Sequence, residues 1–184
     1  MNLFLKRIIV LLLLVTLGIF AYAYFNTDLF KKRLSPKDTV EFRLNDLELE
    51  VFYNRPSKRE RVIFGGLVPY DNVWRTGANE ATTFETNQNL KIGTDSLSAG
   101  LYTLWTIPSE NSWTVIFNSM QYPWGVDDTM QPMRQEQYDV ISIDVPVEKL
   151  ENIVEQFTIA FDNSTDNLSL TMAWDKTKIT VPLK

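Results

Sequence analysis

Residues 73–86 read VWRTGANEATTFET, and they bring an arginine, an asparagine and a glutamate within six residues of one another beside a tryptophan. Arg75, Asn79 and Glu80 carry planar or charged hydrogen-bonding groups and Trp74 offers an aromatic face, the grouping that sugar recognition uses. The same residues also have a purely structural reading. Trp74 fills the core, Arg75 hydrogen-bonds loop carbonyls or pairs with Glu80 or another acid, and Gly77 and Asn79 supply the positive φ that a turn needs. A second candidate lies in QYPWGVDD, within the long irregular stretch 119–137. There Tyr122, Trp124, Asp127 and Asp128 form a binding rim, or Trp124 pins the loop to the core.

Composition removes several chemistries outright. The chain has no cysteine and no histidine, which excludes disulfides, thiolate catalysis, a Ser-His-Asp triad and His-ligated zinc. Asp127-Asp128 lacks the alternating acidic ladder of a calcium loop, so neither metal nor cofactor is expected. FGGLVPY (64–70) has paired glycines but no phosphate-loop lysine and no following helix, so it reads as a backbone crossing or bulge. A pair of carboxylates such as Glu80 and Asp128 leaves open a histidine-free, glycosidase-like hydrolysis.

Charge is unevenly distributed. Taking the five basic residues and Asp28 of residues 1–33 from totals of 18 and 23 leaves 13 basic and 22 acidic residues in 34–184. A body of charge −9 repels a phosphate backbone, so no nucleic-acid partner is expected. RPSKRER (55–61) is a basic island within it, read as a solvated loop in preference to an anion patch.

These candidates must be held by some scaffold, and the chain begins with a different kind of segment. Lys6 and Arg7 precede an apolar run from Ile8 to Phe25. Eighteen helical residues span roughly 27 Å, enough for a hydrocarbon core with little tilt. Residues 1–25 are therefore read as a membrane anchor, with a cleaved signal peptide as the alternative, since Ala21-Tyr22-Ala23 fits a small-x-small cleavage pattern. Residues 26–38, NTDLFKKRLSPKD, read as a tether. The body, 39–184, is expected outside the cytoplasm, on the periplasmic side.

From Thr39 onward the apolar residues recur with period two, as in LELEVFY, DVISIDV, EQFTIAF and LSLTMAW. LYTLWTI (101–107) and WTVIF (113–117) are apolar on both faces and joined by PSENS, so they form a hairpin that lies mid-sheet or beneath a loop. VEKLENI (147–153) is long enough for one helical turn. About nine short strands follow, with no amphipathic helix. The expected fold is all-β, a two-sheet antiparallel β-sandwich preceded by one N-terminal hydrophobic helix, with barrel closure as the alternative.

The blocks YNRP, FGGLVPYDNVWRTGANEATTFET, LSAGLYTLWTIPSENSWTVIFN, VEQFTIAF and LTMAWDKTKITVPL occur in that order over about residues 47–183. Together they resemble the bacterial domain of unknown function 2911 family, with Trp105 where that family more usually has Phe. The resemblance implies an exported or envelope-associated all-β domain and carries over no activity or catalytic residue. The expectation from the whole sequence is a non-catalytic module that binds a glycan, peptide or envelope protein partner through Trp74, Arg75, Asn79, Glu80 and Trp124. Paired-carboxylate hydrolysis and a purely structural interaction domain stand as alternatives.

Overall fold

The structure, a computed structural model, describes residues 2–26, 33–164 and 167–184. Residues 27–32 of the expected tether lie outside them, and its last two residues, 37 and 38, already belong to the first strand. The chain forms two compact units, Met1–Arg33 and Leu34–Lys184.

The first unit is helix α1 (Leu3–Asn26). Its apolar side chains are exposed all round, and its Leu3–Phe25 stretch has a mean hydropathy of 2.6 with none of it buried. Twenty-three helical residues rise about 35 Å, long and apolar enough to cross a membrane. Such a helix is compatible with a signal anchor or a signal peptide, and so with membrane anchoring or export.

The second unit is built on strands. They are β1 (Lys37–Leu44), β2 (Leu47–Asn54), β3 (Thr83–Thr86), β4 (Leu90–Ile92), β5 (Asp95–Leu97), β6 (Gly100–Pro108), β7 (Ser112–Asn118), β8 (Asp139–Asp162) and β9 (Ser169–Pro182). Seven of them pair, all antiparallel, in the order β1-β2-β3-β6-β7-β8-β9, and β4 and β5 form a separate two-stranded sheet. One large curled sheet and one small one thus stand where two facing sheets were expected. Residues 147–153 are extended, not helical.

The curl comes from the longest hairpin. Lys149 pairs with Thr177, Val154 with Asp175 and Thr158 with Ala173. Nine steps along β8 therefore oppose four along β9, and the extra residues bulge and bend β8. Asp175, with φ 54°, marks the bend in β9. Past it, β8 reaches the far end of β2: Gln156 pairs with Ser57, and the Phe157 amide donates to the Pro56 carbonyl at 2.9 Å. Leu49, Val51, Tyr53, Phe84, Leu104, Val115, Phe117, Ile159 and Met172 fill the interior. They are the alternate residues of their strands, which is how period two becomes a core.

The hairpin that is apolar on both faces forms as expected, with Pro108 opposite Trp113. Leu104, Trp113 and Val115 point into the main core. Trp105 and Ile116 point the other way, into a second buried cluster with Ala81 and Tyr122.

Tyr53 ties the curl together. Fully buried on β2, its hydroxyl accepts from the Ile159 amide on β8 at 3.1 Å and donates to the Asp38 carboxylate at 3.4 Å. Burial raises the phenol's pKa above its ordinary 10.0. The native protein therefore keeps this proton where the unfolded chain has lost it, and stability falls as pH rises from about 10 through the native pKa. Tyr53→Phe should cost about 1–3 kcal/mol in urea unfolding of the full chain in detergent, by leaving the Ile159 amide unpaired. It should also flatten the alkaline loss of stability above pH 10; an unchanged alkaline slope would remove Tyr53 as its source.

Candidate functional site

β3 is four residues long and β6 nine, so beyond Thr103 the edge of β6 needs another partner. Residues 71–82 supply it. The Leu104 amide donates to the Thr82 carbonyl at 2.8 Å, Trp74 and Thr106 exchange two backbone bonds of 2.7 and 3.0 Å, and the Asp71 amide donates to the Pro108 carbonyl at 2.8 Å. Between Trp74 and Thr82 the chain leaves β6 and returns through Thr76 (φ 54°), Gly77 (φ 154°) and Asn79 (φ 57°). Glycine is required at 77, because a Cβ there would lie 3.0 Å from the Asn54 carbonyl oxygen.

Thr76 is β-branched, and a positive φ strains it. Its surroundings fix it in place. It is fully buried, its hydroxyl lies 3.2 Å from that of Thr106, and its carbonyl accepts from the Thr82 hydroxyl at 2.8 Å. Trp74 adds a further brace: its indole N–H donates to the Gly77 carbonyl at 3.0 Å, and its ring stacks on Trp174 with centroids 6.0 Å apart. Phe157 and Trp113 meet the same ring edge-on.

The long loop after β7 is equally well held. Tyr122 is buried against Trp105, and its hydroxyl accepts from the Gln135 amide at 3.0 Å. Arg134 is paired with Asp139. Between these anchors the Asp127 carboxylate accepts from the amides of Thr129 and Gln131 and from the Thr129 hydroxyl, at 2.7–2.9 Å. Those bonds hold its pKa below the usual carboxylate value, the Thr129 hydroxyl contributing most. Trp124, considered above as the pin, is 43% exposed; Tyr122 does the pinning.

Where the two segments meet, Arg75 lies against Gly125, whose Cβ would fall 2.5 Å from the Cβ of Arg75 and 2.6 Å from its Cδ. Beside this contact opens a cavity of about 480 Å³. Trp74 and Trp174 line it, with Leu67, Val68, Val126 and Met130 as further apolar wall. Arg59, Arg61 and Arg75 line it too, and among the described residues no aspartate or glutamate does. One terminal nitrogen of Arg75, Nη1, is buried without a hydrogen-bond partner among the described residues. The loss of hydration lowers the guanidinium's pKa from its usual value.

The candidates of 73–86 thus separate. Trp74 and Arg75 line the cavity, as do Gly77 and Ala78. Asn79 serves the turn. Glu80, weighed as a partner for Arg75, is not one among the described residues; its carboxylate takes Lys37 at 2.9 Å. Trp124 is outside the cavity lining, although of the two residues that follow it Gly125 packs on Arg75 and Val126 lines the wall. Among the described residues no group of three or more acidic side chains is placed to hold a metal.

Sequence reasoning missed Arg59 and Arg61. The basic island that contains them divides in two: Arg55 and Lys58 pair with Asp38 and Asp175, while Arg59 and Arg61 bond backbone carbonyls of Leu34 and Lys58. The signal available was the island itself, the densest run of positive charge in an acidic body.

Steric contact at Gly125 and the unpaired charge at Arg75 make separable predictions. Gly125→Ala should cost about 1–3 kcal/mol by overpacking. Arg75→Met, which removes a buried unpaired charge, should leave unfolding free energy within about 0.5 kcal/mol of wild type or raise it. In a double-mutant cycle, Arg75→Ala should recover most of the Gly125→Ala loss. Additive effects of the two alanine substitutions in urea unfolding would refute the contact, and a loss of about 3 kcal/mol in Arg75→Met would mean the arginine is paired.

Comparison with known proteins adds a family and nothing closer. No curated protein and no solved structure matches the chain. The family model described as "Protein of unknown function (DUF2911)" matches residues 35–183. With that match spanning both the curled sheet and the braced segments around the cavity, the chain belongs to the DUF2911 family.

Proposed function

We propose that this chain is an envelope-associated, non-catalytic binding domain, carried on α1 with its body outside the cytoplasm. Its ligand, a glycan, a peptide or another small envelope component, is held in the cavity beside Trp74 and Arg75. We read the large sheet, doubled over at the bends of β8 and β9, as a sandwich-like shell whose open end presents this cavity.

The observation that carries the reading is the cavity's construction. Its volume falls within the range of small-molecule sites, and such sites combine apolar lining with a few fixed polar groups. Its two movable-looking walls, 71–82 and 119–137, are instead cross-braced by buried hydrogen bonds and aromatic packing. That preorganisation reduces the entropy lost when a ligand binds. Paired-carboxylate hydrolysis has less support: among the described residues no acidic side chain lines the cavity, and Glu80 is engaged by Lys37.

Ala78 lines the cavity, so Ala78→Trp should fill it. In saturation-transfer NMR on the full chain in nanodiscs, chitooligosaccharides, short apolar peptides and small amphiphilic acids would be offered to both proteins. At least one class should bind wild type and lose at least tenfold in affinity with Ala78→Trp. If no class distinguishes the two proteins, the cavity is not the binding site.

A further inference from the structure

Charge around the cavity is segregated to a degree that narrows what it can hold. On the exposed face of the sheet Glu41, Glu50 and Glu85 stand directly opposite one another across β1, β2 and β3. Like charges in that arrangement repel. The cavity is the reverse case: among the described residues three arginines line it and no acid does. Arg59 donates to the Leu34 carbonyl at 3.0 Å and Arg61 to the Lys58 carbonyl at 3.0 Å. Neutral carbonyls orient these two guanidinium groups, neither of which forms an ion pair among the described residues, although the Glu155 carboxylate accepts from the Arg59 backbone amide at 3.0 Å. Arg75 goes further, with Nη1 buried and unpartnered among the described residues.

A guanidinium keeps its charge in a protein, so burying Nη1 without an acceptor among the described residues destabilises the ion, and an anion beside the part of the group that lines the cavity would offset that cost. Packing fixes the guanidinium's approach: the Arg75 stem runs across Gly125, with no room there for even a methyl group. A planar fork held this way suits a carboxylate, which it can take with two parallel hydrogen bonds. The remaining wall is apolar and aromatic: Leu67, Val126 and Met130, with the stacked pair Trp74 and Trp174. A fully hydrated anion would gain nothing from that wall, and a neutral apolar molecule would leave Arg75 unpaired.

Resting on the cavity being the binding site, we propose that its ligand is a small amphiphilic acid, one carboxylate on an apolar body. The carboxylate is seated on Arg75 and the body lies along Trp74, Leu67, Val126 and Met130. Arg59 and Arg61 contribute positive potential that draws an anion toward this part of an otherwise acidic body.

The matched probes octanoate and octanamide have equal chain length and differ in charge. Calorimetric titration would use the full chain in phosphatidylcholine nanodiscs, with empty nanodiscs subtracted. Wild type should bind octanoate at least tenfold more tightly than octanamide, and more weakly as salt rises. In Arg75→Met the preference should fall to within twofold, at a melting temperature no lower than that of wild type, while Arg75→Lys should restore part of it. Equal binding of the two probes to wild type, or undiminished octanoate binding in Arg75→Met, would overturn the proposal. If the probes bind equally and both are lost with Ala78→Trp, the cavity remains the site and only the anionic ligand falls. Octanoate binding that survives Ala78→Trp would overturn both readings, and binding of neither probe would overturn the amphiphilic acid.

Discussion

The upper half of β6 is the constraint on which the site depends. β3 runs out at Thr83 while β6 continues to Pro108, and buried backbone groups left unpaired there would each cost free energy comparable to a lost hydrogen bond. Residues 71–82 satisfy them without being a regular strand. Because β6 and β7 are apolar on both faces, the outward-facing Trp105 and Ile116 must also be covered, and Ala81 and Tyr122 cover them. The first requirement fixes the segment carrying Trp74 and Arg75, and the second fixes the loop carrying Gly125 and Val126. Their junction is a consequence of covering one hairpin, and it is the place where the chain leaves a charged nitrogen unpaired.

The structural part of the double reading of VWRTGANEATTFET can be followed along its length. Trp74 belongs to both readings, as core partner of Trp113 and Trp174 and as cavity wall. Thr76, Gly77, Asn79 and Thr82 are scaffold. Arg75, between them, is the residue the scaffold does not use. A rigid frame around an unsatisfied group is the arrangement expected of a preorganised site, where backbone strain such as that at Thr76 is tolerated because surrounding contacts over-determine it.

Much of the strand content was legible because period two follows from the pleat and needs no tertiary knowledge. The double-sided burial of 101–117 was legible for the same reason. The joining of 139–145 to 155–161 in a single β8 was not, since the bulges that bend it depend on where β9 and Pro56 lie. β4 and β5, three residues each, are too short to show a period, although Gly93 with φ 62° marks the turn between them. Within the site, Gly77 and Asn79 announced a turn, whereas nothing about a threonine announces a positive φ at 76. Arg59 and Arg61 come to line the same cavity as Trp74 only through the fold. The pinning aromatic was misplaced by two residues, at Trp124 instead of Tyr122, because alternation cannot be read in an irregular loop.

The central claim is that residues 71–82 form a rigid frame on β6 and not a mobile loop. Native-state hydrogen exchange at the Trp74 and Thr106 amides, which donate to each other's carbonyls, tests it most directly. Both amides should exchange only through global unfolding, with an opening free energy equal to that of Val115 and Phe117 in the core hairpin. Exchange at Trp74 through a local opening several kcal/mol below the global value would contradict the account: the frame would then be a loop, and the unpaired Arg75 a side chain free to leave its place.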